Sequence, residues 1–494
     1  SNECTESGWP SWCEPDVGNG IRLDGEPVTG NDPHDTSLEI GPSFVSGWLQ
    51  HIVGRLGHAD EGGVAYYALD NEPMLWNSTH RDVHPDPATL DELWAFTQSY
   101  GETVHAVDPA AQVLGPCVWG WCAYFYSALD GCQPGADMAA HGDLPLLEWY
   151  LLKNRERELQ TGRRPVDLLD VHYYPQASGV ALTDDESVAA VRLRSLRSLY
   201  DPAYVDESWI GQPVRLIPRL REWIAARCPG MEIALTEYNW GGDHGISSAL
   251  AQAEALAIFG REGVGLATRW VAPEAGSKVV EALRLFLDYD GVGSALSGES
   301  VRAASSDVDD VGAYAILRSG GGEAAVLLFN KATGPRATNV TVARAASGPA
   351  PVWRFDAATS LGPAGTVEVA AGSFALDLPA RSATLVLVPL AGVSSLADGG
   401  PAGALRAAAQ PTPFRGSTAV RFTLPRPASV SLEVADAAGR IRRRILSSRA
   451  QPAGNLTLTW DGRDDAGRPV PSGTYFLRLR AAGLEETVRA IRIE

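Results

Sequence analysis

The chain has 494 residues, with 41 basic and 60 acidic side chains and a formal net charge of −19. Because nucleic-acid binding needs clustered Lys and Arg, this balance argues against a nucleic-acid partner. Because 494 residues are too many for one hydrophobic core, we expect several domains. The sequence has no apolar run of about 18 residues, so we predict no membrane span.

The first part of the chain alternates between helical and strand-like patterns. Apolar residues recur at helical spacing over 44–56, and a strand-like run follows over 64–69. The alternation then predicts helices over 90–107, 146–157, 214–227 and 248–259, and strands over 113–119, 168–174, 232–238 and 265–271. Strands separated by helices form parallel sheets with right-handed crossovers. Residues 1–288 are therefore predicted to form an α/β barrel.

The pattern changes after residue 288. Short alternating runs at 314–316, 325–329, 352–355 and 384–388, separated by Gly and Pro, predict a β-sandwich over residues 289–392. Residues 393–410 are rich in Ala, Gly and Ser without periodicity, which is typical of a linker. Alternation returns over 411–494 and predicts a small, separate sandwich.

Two predicted strands end in a polar tip that carries a glutamate. VAYYALDNEP over 64–73 places Asn71 and Glu72 after the strand, and EIALTEYNWG over 232–241 ends in Glu237. Active sites of parallel barrels lie at this end of the strands, and a pair of carboxyl groups is the equipment for cleaving a glycosidic bond. We predict Glu72 and Glu237 as catalytic, the alternative being rim ion pairs, and Asn71 as a sugar ligand or a turn residue.

Aromatic residues accompany the strand ends. The chain has 14 tryptophans, and we predict a polysaccharide-binding track from Trp76, Trp119, Trp121, Trp240 and Trp270 with Tyr174 and Tyr238. Sugar rings stack on aromatic faces, although core packing is the usual role of any single tryptophan. The clustering at strand tips favours the track.

The cysteines give a weaker signal of function than the strand tips do. Cys4 with Cys13, and the group Cys117, Cys122 and Cys132, fit local disulfides of an exported protein better than zinc ligands, because no Cys-x-x-Cys spacing occurs.

Two short groups of residues could bind a metal ion, but neither has the spacing of a known metal site. His80 and His84 lack the His-Glu-x-x-His arrangement of a zinc helix, and a loop role is expected. Asp461, Asp464 and Asp465 lack EF-hand spacing, and we interpret them as turn residues.

Several motifs together resemble glycoside hydrolase family 44, a family of endo-β-1,4-glucanases. They are GGVAYYALDNEP with LW and THRDVHP, VLGPCVWGW, DVHYYPQ, ALTEYNWG, RWVAP, LFLDYDG and LFNK, in collinear order from about residue 40 to 390. The resemblance implies a TIM-like (β/α)8 barrel with a β-sandwich and retaining hydrolysis of cellulose derivatives, xyloglucan or related glucans. It implies Glu72 as general acid/base, Glu237 as nucleophile, Asn71 as the residue before the acid and Trp270 as an aromatic platform. No cofactor is expected for catalysis; calcium is expected as a structural ion without assigned ligands.

The last predicted sandwich resembles a different module. Pro413-Phe414, Asp436 to Arg440, Trp460-Asp461-Gly462 and Gly473-Thr474-Tyr475 are similar to the immunoglobulin-like C-terminal domains related to flagellar-hook capping and secretion-sorting domains. The resemblance implies a secreted bacterial protein that contacts secretion machinery or the cell surface, with a simple spacer as the alternative. We expect a monomer.

One departure from the family pattern concerns the start of the barrel. The Asn-Glu-Pro strand is the fourth in these enzymes, yet the residues before Val64 are loop-like until Phe44 and cannot hold three βα units of about 30 residues each. The first strands are therefore expected to be absent, and since the chain opens Ser-Asn-Glu without a visible signal peptide, we expect a processed form or a fragment. Alternative functions are a glucan-binding or inactive remnant, and a xylanase or mannanase.

Overall fold

The computed structural model describes residues 20–21, 25–30, 32–319, 321–391, 407–410, 412, 414–424, 428–436, 440–451, 454–481 and 484–493. The chain forms two compact units, Ser1–Val393 and Ser394–Glu494. Cys4, Cys13 and most of the predicted linker lie outside the described residues. Among the residues that are described, no helix is both long enough and apolar enough to cross a membrane.

The first unit begins with alternating strands and helices, as the sequence predicts. Its parallel strands are β1 (Tyr66–Ala68), β2 (Gln112–Val118), β3 (Leu168–Tyr173), β4 (Glu232–Tyr238) and β5 (Leu266–Arg269), paired in chain order. Its helices are α1 (Pro42–Leu56), α2 (Trp76–Thr79), α3 (Leu90–Val107), α4 (Ala136–Ala140), α5 (Leu146–Thr161), α6 (Ala189–Ser195), α7 (Leu216–Arg227), α8 (Ile246–Glu262) and α9 (Lys278–Leu287). Local signals explain several ends: Thr89 caps α3 by accepting the Glu92 N–H, and Gly162 ends α5 at φ 84°.

The parallel sheet is open in the described part of the chain, so the expectation of a partial barrel is confirmed. Every residue of β3 is buried, whereas both ends of β1 are exposed and Tyr66 is 43% accessible. Beside this edge, Phe44 and Trp48 of α1 expose 58% and 59% of their surfaces. Barrel strands have two buried faces, so β1 and α1 show where the half-barrel ends.

A β-sandwich completes the first unit. Its strands are β6 (Gly298–Val301), β7 (Val311–Arg318), β8 (Glu323–Asn330), β9 (Arg336–Thr341), β10 (Gly348–Phe355), β11 (Gly362–Val369), β12 (Ser373–Leu378) and β13 (Ser382–Pro389). They form one antiparallel sheet in the order β11-β10-β13-β8-β7-β6 and a β12-β9 pair. Because side chains alternate along a strand, Val326 and Leu328 of β8 enter the sandwich core, while Leu327 and Phe329 join the core of the half-barrel. Strand β8 thus belongs to two cores.

The second unit is a small antiparallel sandwich. Its strands are β14 (Ala407–Gln410), β15 (Thr418–Leu424), β16 (Ala428–Asp436), β17 (Ile441–Gln451), β18 (Gly454–Trp460), β19 (Gly473–Ala481) and β20 (Leu484–Arg492). Two sheets, β14-β15-β18 and β17-β16-β19-β20, enclose a core around Trp460, which is 1% exposed. The linker prediction was wrong at its end, because residues 407–410 form β14 and pair with β15.

The cysteine prediction is confirmed in part. Cys122 and Cys132 form a disulfide within the loop region after β2. Cys117, the third member of that group, is a buried free thiol, and so is Cys228.

Candidate active site

Glu72 stands at a sharp turn after β1. It adopts a left-handed backbone conformation with φ 44° and ψ 59°, and Pro73 then begins a short 3-10 helix, Pro73–Leu75. The N–H of Glu72 donates to the carbonyl of Cys117 on β2 at 3.0 Å. A left-handed conformation is costly for a residue with a side chain and concentrates at functional sites. The turn, fixed to β2, holds the Glu72 carboxylate at the end of the sheet.

Glu237 lies near the end of β4, at a β-bulge. Ala234 pairs with Asp170 of β3 and Glu237 pairs with His172, so β4 advances three residues while β3 advances two. A bulge inserts one residue and changes the direction of the side chains that follow it. The Glu237 carboxylate then accepts the phenolic hydrogen of Tyr174 at 2.8 Å.

His172 lies between the two glutamates. Its side chain is 1% exposed, and Nδ1 lies 2.8 Å from Oε1 of Glu72 and 3.5 Å from Oε2 of Glu237. One atom from each of the three side chains lies within 4.8 Å of the others. The two predicted catalytic carboxylates are therefore close together, and a buried imidazole contacts both.

The environment of Tyr174 keeps its hydroxyl protonated. Burial raises the pKa of Tyr174 well above that of a free phenol, and the neighbouring Glu237 raises it further. A protonated phenol is a hydrogen-bond donor, and the Glu237 carboxylate accepts its hydrogen. Tyr174 was predicted as a substrate contact, and this stays a prediction; the structure adds its hydrogen bond to Glu237.

Four of the predicted sugar-stacking residues are buried, and the interpretation was wrong for the three that belong to the core, Trp121, Tyr238 and Trp240. Tyr238 and Trp240 are 2% exposed, Trp121 is 8% exposed and Trp76 is 9% exposed. Tyr238 accepts a hydrogen bond from Gln252, and its ring packs against Trp240. The rings of Trp121, Tyr238 and Trp240 fill the core of the half-barrel and offer no face to a sugar. Trp76 instead lines a cavity beside α1 and α3.

The remaining predicted ligands retain accessible surface. Trp270 is 48% exposed, and the carbonyl of Trp270 accepts a hydrogen bond from the side chain of Asn239. Asn71 is exposed beside Glu72, and its N–H donates to Asp70. Trp119 is half-buried against the core of the half-barrel. Among the aromatic candidates, Trp270 is thus the one best placed to offer a face to a ligand.

His172 was not among the predicted site residues. The signal was present in DVHYYPQ: His172 and Tyr174 are two residues apart at the end of one strand, so they share a face of the sheet. A buried strand seldom carries two polar side chains on one face at its end without a partner for them.

The weaker candidates take structural roles. His84 pairs with Glu92 at 2.9 Å, consistent with a loop histidine. Asp464 accepts hydrogen bonds from the backbone of Ala466 and Arg468, as a turn residue would. Among the described residues, Glu72, His172 and Glu237 form the one close group of three acidic, His or Cys side chains. Calcium prefers six to eight oxygen ligands, so this group does not fit it.

Comparisons with known proteins give consistent results. Residues 2–177 match the model of glycoside hydrolase family 44, and residues 409–484 match that of the FlgD Ig-like domain. The chain is 35% identical to endoglucanase A of Paenibacillus lautus over 294 residues, covering 57% of this chain and 41% of that protein. It therefore spans less than half the length of that curated relative.

Solved structures agree with the sequence matches. The crystal structure of CelM2, a bifunctional glucanase-xylanase from a metagenome library, is 39% identical, with a TM-score of 0.72 and coverage of 75% of this chain and 73% of that one. A family 44 xyloglucanase of Paenibacillus polymyxa, solved with xyloglucan, is 28% identical, with a TM-score of 0.64 and coverage of 70% of each chain.

Proposed function

Because this chain belongs to glycoside hydrolase family 44, we propose that it is a retaining endo-glycosidase that cleaves β-1,4-glucans. The observation that carries the proposal is the closeness of Glu72 and Glu237, each offering an atom within 4.8 Å of the other. Retaining enzymes hold their carboxyl groups about 5–5.5 Å apart, whereas inverting enzymes need about 6.5–9.5 Å to admit a water.

The proposed reaction is a double displacement. Glu72 protonates the departing glycosidic oxygen while Glu237 attacks the anomeric carbon and forms a glycosyl-enzyme. Glu72 then removes a proton from water, which hydrolyses the intermediate with net retention. Tyr174 donates to Glu237, and His172 contacts both carboxylates, so both side chains hold the acids in the required orientation.

Glucans are the proposed substrates, with xyloglucan the first to test. The relatives named above act on glucan, xyloglucan or glucan and xylan, and pocket detail decides which sugar is accepted. A panel of carboxymethylcellulose, xyloglucan, xylan and mannan with product analysis tests this choice. Export is also proposed, supported by the Cys122–Cys132 disulfide.

Reducing-sugar release from xyloglucan tests the catalytic assignment. We expect the wild-type chain to release sugar and Glu237→Gln to lose at least about 1,000-fold in kcat, because the nucleophile is removed. Glu72→Gln should lose less on substrates with a good leaving group, since such a leaving group departs without protonation. Equal activity of Glu237→Gln and wild type would reject the assignment.

A glucan-binding protein without turnover is the second candidate. The exposed strand β1 and the exposed aromatic residues of α1 favour it, because an active barrel encloses its cleft with further strands. Affinity electrophoresis in xyloglucan gels separates the two functions. Retarded migration without sugar release from the wild type would support binding alone.

A further inference from the structure

Two neighbours of β3 carry bulges at the same level of the sheet. Between Pro116 and Val118, β2 has one residue more than β3, which places Cys117 in the bulge. Between Asp170 and His172, β4 has one residue more than β3, and the same excess appears against β5. Both bulges lie next to the segments that hold the two glutamates.

The carboxylate of Asp170 joins these two bulges from the strand between them. It accepts the Thr236 N–H at 3.0 Å and the Thr236 hydroxyl at 2.6 Å, and the Cys117 thiol donates to it at 3.2 Å. Asp170 is 0% exposed, and these three donors are neutral. Burying a carboxyl group costs free energy that hydrogen bonds only partly offset, so the position needs a reason beyond packing.

Each partner of Asp170 is adjacent to one of the two predicted catalytic acids. Thr236 immediately precedes Glu237, and the carbonyl of Cys117 accepts the N–H of Glu72. A shift of either bulge would therefore move one carboxylate relative to the other. Bulges beside active sites direct side chains in this way.

We propose that Asp170 is a positioning residue: it clamps the two bulged strands and thereby sets the separation between Glu72 and Glu237. This inference rests on the proposed retaining hydrolysis. Asp170 acts through its hydrogen bonds with Thr236 and Cys117. An error of about 1 Å in the placement of reacting groups costs on the order of 100-fold in rate.

Kinetics of four full-length proteins test the inference: wild type, Asp170→Asn, Thr236→Val and Thr236→Ser. We expect Asp170→Asn and Thr236→Val to lower kcat roughly 10- to 100-fold with KM within about threefold of wild type. Thr236→Ser retains both donors and should keep most of the activity. If Asp170→Asn folds poorly, Thr236→Val and Thr236→Ser still form a matched pair. Thermal unfolding shows whether each variant is folded.

Three kinetic results would overturn the inference. They are kcat values of Asp170→Asn and Thr236→Val that both stay within about twofold of wild type, a change confined to KM, or equal rates for Thr236→Ser and Thr236→Val. Crystal structures of wild type and Thr236→Val supply a readout that needs no turnover. We expect a changed distance between the Glu72 and Glu237 carboxylates, and an unchanged distance overturns the inference. A wild-type chain without hydrolysis would reject the proposed function, while the structural comparison would still decide the role of Asp170.

Discussion

The hydrogen bond from Tyr174 to Glu237 places one phenolic hydroxyl directly on a predicted catalytic carboxylate. The hydroxyl lies 2.8 Å from Oε2 of the glutamate, and the raised pKa of Tyr174 keeps the hydrogen in place. A hydrogen bond donated to a carboxylate fixes the orientation of that carboxylate. The same donor is then available to the carboxylate when it departs from the sugar.

Replacing Tyr174 by Phe removes this donor and little else. We expect kcat on xyloglucan to fall about 10- to 100-fold, because the orientation of Glu237 is lost. Tyr204→Phe is the matched control, since that hydroxyl donates to Glu207 at 2.8 Å in a different loop. Both variants should lose about 1 kcal/mol of stability, and only Tyr174→Phe should lose activity. Equal kinetic effects would contradict a specific role.

Individual residues also show what the sequence could and could not predict. The closeness of Glu72 and Glu237 could be predicted, because each lies at the end of an apolar strand and the carboxyl ends of parallel strands share one edge of the sheet. Trp240 was assigned to the wrong role, because a tryptophan at a strand end fits a core and a sugar platform equally well until the neighbouring elements are placed. In this protein the Trp240 indole N–H donates to Ser195, which comes from a distant stretch of the chain.

At the scale of elements, β8 links the half-barrel and the sandwich. Leu327 is 0% exposed within the half-barrel core and Leu328 is 3% exposed within the sandwich core. Helix α8 contacts the same junction: Lys331, directly after β8, pairs with buried Glu254 at 3.1 Å. Alternation along β8 was visible in the sequence, but the identity of the partner on its second face was not.

Shortening an apolar side chain on either face of β8 should therefore destabilise the whole first unit. We expect Leu327→Ala and Leu328→Ala each to cost about 2–5 kcal/mol, and each variant to unfold this unit in a single transition. Urea unfolding followed by tryptophan fluorescence and circular dichroism measures both quantities. A Leu328→Ala protein whose sandwich unfolds while the half-barrel stays folded would contradict the link.

For the molecule as a whole, buried tyrosines set an alkaline limit to stability. Burial raises the pKa of Tyr124, Tyr150 and Tyr173, and raises that of Tyr200 to about 12. The unfolded chain releases these protons near pH 10, so above that pH the folded state binds more protons than the unfolded state. The resulting stabilisation is complete below pH 10 and is lost as the pH rises further.

We expect the free energy of unfolding to fall between about pH 10 and pH 12, as measured by urea titrations at several pH values. Tyr150→Phe should flatten this dependence, because it removes one buried phenol whose hydroxyl hydrogen-bonds to Thr97. A free energy of unfolding that stays constant across this range would contradict the prediction.

Calcium is a separate prediction for the whole chain. If it is a structural ion, millimolar calcium should raise the melting temperature, and a chelator should lower it, through preferential binding to the folded state. Magnesium serves as the control because it prefers a smaller octahedral site. Identical melting curves with calcium, magnesium and chelator would remove calcium from consideration.

The buried thiol of Cys117 provides a labelling probe at the candidate active site. The thiol is 1% exposed, and burial raises the pKa of Cys117, so alkylating reagents at neutral pH reach a reactive thiolate only when the end of the sheet opens. With Cys228→Ser, the second free thiol of the described residues is gone. The labelling rate of Cys117 then reports how often the region beneath the two carboxylates opens, and protection by a bound oligosaccharide can be timed without an attached probe.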